Sequence, residues 1–330
     1  MGSLYRLVQN ETLKTWRKKR FQIVLILLTV IIPIFTYAQM RVVENMREQM
    51  GTNDWRIVVQ QQIQDYTNRV SSPRVPEEWK QVLRVSIQKL NYHLEQNIDP
   101  ARPNEVTFTS QFIDNAVNLF LPLMVMVIAA DLVSAERVSG TIKLLLARPV
   151  RRWKVLFSKY IAMLIYTSLI VFATILLCYL ISGLAFGYGG WLMPVMVGFK
   201  LVGEEVFTDQ VRVIEHWQYL LMQAGLVWFS CVVVGCISLM LSVLVRGIAA
   251  GMGIMLAMLI AGTILVNMVS AWESAKYFFM VNLRTTLYLS GSMPPVPGMT
   301  LPFSLAVLTV WAALSVLVSF LVFTRQDIYS

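Results

Sequence analysis

Six long apolar runs with no charge at their centres constrain this chain more than any other feature. They are Phe21 to Ala38, Ile113 to Val133, Tyr160 to Phe186, Trp217 to Val245, Ile248 to Val269 and Pro302 to Phe323. A helix needs about 20 apolar residues to cross the hydrocarbon core of a bilayer. The chain therefore reads as an all-α integral membrane protein with six transmembrane helices. The first two runs are the weakest: one contains Pro33, and the other carries Asp114, Asn115, Asn118 and Pro122. The positive segment before the first run is too long for a signal-peptide n-region, the apolar run is too long, and no A-x-A-like site follows. The expectation is a retained span.

Composition agrees. Of 330 residues 56% are hydrophobic and 14% charged, whereas soluble domains average roughly 45–50% apolar and 25% charged. The formal net charge of +9 suggests a polyanionic partner only until the charges are sorted by side. Residues 1–20, the stretch from 131 to 159, Arg246 and the C-terminal tail hold 15 basic and 4 acidic residues, and the other side holds 13 and 15. That is +11 against −2, so the basic side is expected to be cytoplasmic, with both termini inside the bacterial plasma membrane and no nucleic acid as partner.

The expected order is 1–20 cytoplasmic, 21–38 span, 39–111 extracellular, 112–133 span, 134–154 cytoplasmic, 155–186 span and 187–216 extracellular. Spans at 217–245 and 246–270, an extracellular segment at 271–301, a span at 302–324 and a tail at 325–330 complete it. In the first outer segment Trp79, Val82, Leu83, Ile87, Leu90 and Leu94 form a helical stripe, Pro73 and Pro76 mark a turn, and Asp54 to Val70 offers a partner helix. An extracellular helical hairpin is predicted between spans 1 and 2. The apolar patches Trp191 to Phe199 and Tyr277 to Val281 read either as interfacial or re-entrant helices or as plain loop.

The span cores hold no ionisable group, and Asp114 and Lys159 are expected to snorkel at interfaces. Asn118, Gln223 and Asn267 suit bonds between helices. Cys178, Cys231 and Cys236 read as small buried hydrophobes, and His93 and His216 as surface residues. No H-E-x-x-H pair, G-x-S-x-G elbow or P-loop is present, so the chain is not expected to be an enzyme or to bind a metal or cofactor of its own. Gly183 with Gly187, Gly247 with Gly251, and Ala257 with Ala261 fit close helix packing or a dimer seam.

The stretch from Asp131 to Lys154 stands out. Val138, Ile142, Leu145 and Leu146 share a helical face, Pro149 ends it, and Gly140 favours a bend. Arg148, Arg151, Arg152 and Lys154 lie at headgroup depth. By itself the segment fits a topology determinant with a lipid-hugging helix.

Glu136, Gly140-Thr141, Leu144-Leu145, Arg148-Pro149, Arg151-Arg152 and Lys159 together resemble the pattern after the second span of ABC-2 type permeases, the membrane subunits of many bacterial ATP-binding-cassette exporters. The resemblance implies that the loop around Glu136, Arg137, Gly140, Thr141, Leu145, Pro149 and Arg152 is a coupling helix seated on a separate ATPase, with Glu136 and Arg137 pairing at the rim. It implies an interfacial elbow helix in residues 1–20, with Tyr5, Val8 and Trp16 on one rough face and Arg17 to Arg20 following. It also implies two ATPase subunits that carry the ATP and Mg, a second permease copy or paralogue, and export of a hydrophobic or amphipathic compound such as an antimicrobial peptide or drug. The length of the outer segment supports a different reading, a non-transporting sensor or assembly factor whose hairpin binds a ligand or partner.

Overall fold

The computed structural model describes residues 2–50, 54–100, 102–141, 150–198, 200–202, 205–207, 211–245, 247–268 and 272–325. Helices α1 (Gly2–Arg17), α2 (Arg20–Met50), α3 (Trp55–Ser71), α4 (Glu77–Glu95), α5 (Glu105–Ala116), α6 (Phe120–Ala129) and α7 (Asp131–Val138) make up the first part. The second part holds α8 (Arg152–Phe186), strands β1 (Pro194–Val197), β2 (Lys200–Val202), β3 (Glu205–Phe207) and β4 (Arg212–Glu215), then α9 (His216–Leu244) and α10 (Ile248–Met268). Short 3-10 turns at Glu273–Tyr277 and Phe279–Asn282, α11 (Leu287–Ser290) and α12 (Leu301–Arg325) complete it. Among the described residues five helices (α2, α8, α9, α10, α12) are long and apolar enough to cross a membrane, and the bent pair α5 plus α6–α7 makes six if counted as one span.

α9 is the hub. It packs against α12, α6, α8, α5, α7 and α10, and its sequence is apolar on every face, as suits a mostly buried helix whose remaining side chains, such as Leu221 and Trp228, stay exposed. Cys231 and Cys236 are buried within it and Cys178 within α8, all as free thiols.

The second span, expected over 112–133, begins earlier and is bent. Asn104 caps α5, its side chain accepting from the Val106 and Thr107 amides while Thr107 bonds back to the Asn104 amide. This reciprocal cap starts the helix at Glu105. The chain then breaks at 117–119 and turns by 63° into α6. Pro122 lies in the first turn of α6, where it has no intrahelical bond to lose. The first span differs in the other direction: α2 runs through Pro33 and continues beyond Ala38 to Met50.

α3 and α4 pack together as the predicted hairpin, with Val82, Leu83, Ile87, Leu90 and Leu94 of the predicted stripe half-buried. Trp79 is 63% exposed, and Gln81 and Val85 are buried instead. After α8 come two antiparallel strand pairs, β1 with β4 and β2 with β3, in place of an interfacial helix or a plain loop. Val195, Val197, Val213 and Ile214 favour the extended chain, and Pro194 occupies the first strand position, where the missing donor costs least. The segment between α10 and α12 is built of short helical turns and is not an open loop: Phe279, Val281, Leu283, Leu287 and Val296 are buried in it, and Asn282 holds it by donating to the Lys276 and Phe278 carbonyls.

Candidate functional site

The site forms where α1, α7 and α8 meet. α1 turns its polar side inward: Glu11 and Thr15 are buried, while Tyr5, Leu13 and Trp16 are exposed. From α8 comes Lys159, fully buried rather than snorkelling. Its Nζ lies 2.7 Å from Glu11 Oε2, 2.8 Å from the Leu132 carbonyl and 2.8 Å from Glu136 Oε2. Lys14 Nζ closes the circuit at 3.2 Å from Glu11 Oε1 and 2.8 Å from Glu136 Oε1. Two carboxylates and two ammoniums alternate in a ring, so each charge has an opposite neighbour on both sides. Such pairing is what permits a charge in a dry interior. Burial opposes the charge on Lys14, yet its bonds to Glu136 and Glu11 outweigh it and raise the ammonium above the ordinary lysine range.

A second clamp lies beside the first. Asp131, buried at the start of α7, is 2.9 Å from Lys18 Nζ and 2.9 Å from an Arg20 nitrogen, and Arg20 also donates to the Val127 carbonyl. The third hold comes from α9. The α7 N-terminus has no cap of its own at Ala130, and Ser242 Oγ accepts from the Val133 and Ser134 amides at 3.1 and 2.9 Å. Those are two of the amides a helix start leaves without intrahelical partners. Arg137 donates to the Val243 carbonyl at 2.5 Å. α7 is thus fastened to α1, α8 and α9 at once.

Of the residues singled out in the sequence, Glu136 lies in the ring and Arg137 binds α9; both engage this chain's own helices. Gly140 ends α7 with a φ of +70°, the left-handed C-terminal position that glycine fills best, and its amide donates to the Arg137 carbonyl. Thr141 is exposed. Leu145 and Pro149 lie outside the described residues. Arg152 donates to the Thr324 carbonyl at the end of α12. Trp16 is half exposed beside Phe21, with ring centroids 5.9 Å apart. Arg17 is exposed and Arg20 joins the Asp131 clamp.

Glu11, Lys14, Lys18, Asp131 and Ser242 were not visible as site residues from sequence. Only the Glu11–Lys14 spacing of three carried a local signal. At the opposite end of the bundle Asp114 pairs with Arg284 at 2.8 Å and accepts from Thr286. Gln223 and Ser110 exchange two bonds, at 2.8 and 3.0 Å, which is the interhelical role expected of Gln223. His216 is 6% exposed, not a surface residue, because the β4–α9 junction turns it inward. Gly183 packs within the chain: a Cβ there would sit 2.0 Å from the Tyr188 ring.

These features define a multi-pass α-helical membrane protein with a buried charge junction at one end. The chain belongs to the family described as "Protein of unknown function (DUF2705)", whose model matches residues 82–329. That match covers the Glu136–Lys159 segment and overturns the resemblance to ABC-2 type permeases, since the same residues are accounted for by this other family. Among its relatives in Bacillus subtilis (strain 168), the "Uncharacterized protein YhcI" is 26% identical over 84% of this chain and 86% of its own length. The "Uncharacterized membrane protein YdbK" is 29% identical over 64% of this chain and 80% of its own length.

Proposed function

We propose that this protein is the membrane subunit of an export system whose energy comes from separate cytoplasmic ATPase subunits. The basic end of the bundle faces the cytoplasm, and the segment following α7 is the contact for the ATPase. The observation that carries this reading is the four-charge ring of Glu11, Lys14, Glu136 and Lys159. It welds the start of that segment to α1 and α8, so a push on the segment moves helices instead of dissipating in a loop. Packed interiors transmit such displacements because they deform little.

Two further observations support the reading. A P-loop is missing from the sequence, so nucleotide chemistry belongs to a partner. A cavity of about 350 Å³ lies between α2 and the α5–α6 break, walled by Ile31, Ile34, Phe35, Phe108, Phe112 and Phe120, with Gln39, Gln111 and Asn115 also on its lining. That mixture suits a hydrophobic or amphipathic cargo. The working assembly in this reading holds two copies of the chain, or one copy and a paralogue, with two ATPases.

The test is to purify the chain in nanodiscs with candidate cytoplasmic ATPases of the same genome and compare wild type with Glu136→Gln and Lys159→Met. Complex formation with loss of cargo-stimulated ATP hydrolysis in the variants supports the proposal. Failure of the wild-type chain to bind or stimulate any of these ATPases overturns it, as does full stimulation in folded variants.

A further inference from the structure

His93 and His216 are the only two histidines in 330 residues, and they are 123 positions apart. One is on α4 and the other begins α9, yet both line one cavity of about 300 Å³ at the hairpin end of the bundle. His216 is 6% exposed, and its Nε2 and the Nδ1 of His93 are buried without a hydrogen-bond partner. Buried imidazole nitrogens of native proteins are ordinarily bonded. Both residues line the same cavity, and these nitrogens have no bond within the protein, so a ligand's polar atoms can bond there.

The rest of the lining defines the ligand. Lys89 and Arg102 bring cationic groups, and Asp99 and Asp114 bring carboxylates. Asp114 is already engaged at both oxygens by Arg284 and Thr286, which leaves the balance of the lining positive. Burial and the nearby Lys89 ammonium hold His93 below the ordinary imidazole range, so it stands neutral near pH 7 with one ring nitrogen available to donate. Among the described residues no three His, Cys, Asp or Glu side chains converge as metal ligands would. Tyr92, Ile98, Pro100, Val195, Met196 and Tyr219 supply apolar wall.

We infer that the cavity between α4, the β1 strand and the start of α9 binds a small carboxylate with an apolar body, its charge taken by His93, His216, Lys89 and Arg102. The inference does not depend on an ATPase partner, so the two proposals fail separately.

The probe is N-acetyl-leucine, titrated into the full chain in nanodiscs labelled with ¹⁵N-histidine. Only two imidazole spin systems exist, so the readout is unambiguous. Both are expected to shift saturably with the acid. N-acetyl-leucinamide, which lacks the charge, and inorganic phosphate, which lacks the apolar body, should each bind at least about tenfold more weakly, the loss of one charge-assisted contact. His93→Gln and Lys89→Met should weaken the acid by a similar factor while the His216 signal still reports binding. The inference is overturned if neither imidazole responds to the acid, if the amide or phosphate binds as tightly, or if folded variants bind unchanged.

Discussion

The ammonium of Lys159 lies 2.7 Å from Glu11 Oε2, joining two residues 148 positions apart in a place with no exposed surface on the lysine. Glu136 is the other carboxylate on that ammonium. α1 and α7 are thus held by one cation from a third helix, α8.

Removing that cation alone should be costly. Lys159→Met leaves two buried carboxylates with only Lys14 between them, and breaking a buried ion pair typically costs about 3–5 kcal/mol. Replacing Glu11, Glu136 and Lys159 together by Gln, Gln and Met should recover most of the loss, because Lys14 is partly exposed and can turn to water. Thermal unfolding of the single and triple variants in the same detergent checks this; equal loss in both would mean that packing, and not charge, sets the cost.

Ser242 caps α7 from another helix. Ser242→Ala removes the acceptor of two amides and should cost about 1–2 kcal/mol, as loss of an N-terminal cap does. The measurement that isolates it is hydrogen exchange: peptides covering 130–138 should exchange faster, and peptides from the middle of α12 should not change.

Gly140→Ala tests the turn after α7. A Cβ at Gly140 meets nothing within 4 Å, so its cost is conformational and not steric. The left-handed backbone penalises alanine by about 1 kcal/mol, and asparagine by less. A lowered unfolding midpoint for Gly140→Ala with near-normal behaviour of Gly140→Asn is the expected pattern; equal midpoints for all three would show that this turn does not limit stability.

The spans were legible because long apolar runs without charge have few other uses. The ring was not legible for a reason of the same kind: a sequence shows that Lys159 sits near the end of an apolar run, which reads as snorkelling, and does not show that Glu11 and Glu136 come to meet it. The 63° break had local signals in Asn118 and Pro122, but these are compatible with a weak straight span until Asn104 is seen to start a helix at Glu105. The strands at 194–197 and 212–215 were missed because the Trp191–Phe199 patch is too short for periodicity to separate strand from interfacial helix or plain loop. His93 and His216 looked like surface residues because each is alone in its segment, and only the fold brings them onto one cavity.

Lys89 predicts a rise of stability with pH. Burial pushes its ammonium down to about 8 from 10.5. Below pH 8 the folded and unfolded states both carry the proton, and the fold bears the full cost of the buried charge. Between pH 8 and 10.5 the unfolded chain holds the proton more often than the folded one, so stability rises with pH, and above 10.5 the gain is complete. The span of the shift corresponds to roughly 3 kcal/mol at most, at 1.36 kcal/mol for each pH unit. Unfolding midpoints measured on the two sides of pH 8 should therefore diverge in wild type, and Lys89→Met should flatten that difference. A carboxylate held beside the ammonium opposes its deprotonation, so saturating N-acetyl-leucine should also reduce the alkaline gain. If Lys89→Met follows the wild-type curve throughout, the buried charge of Lys89 is not its source.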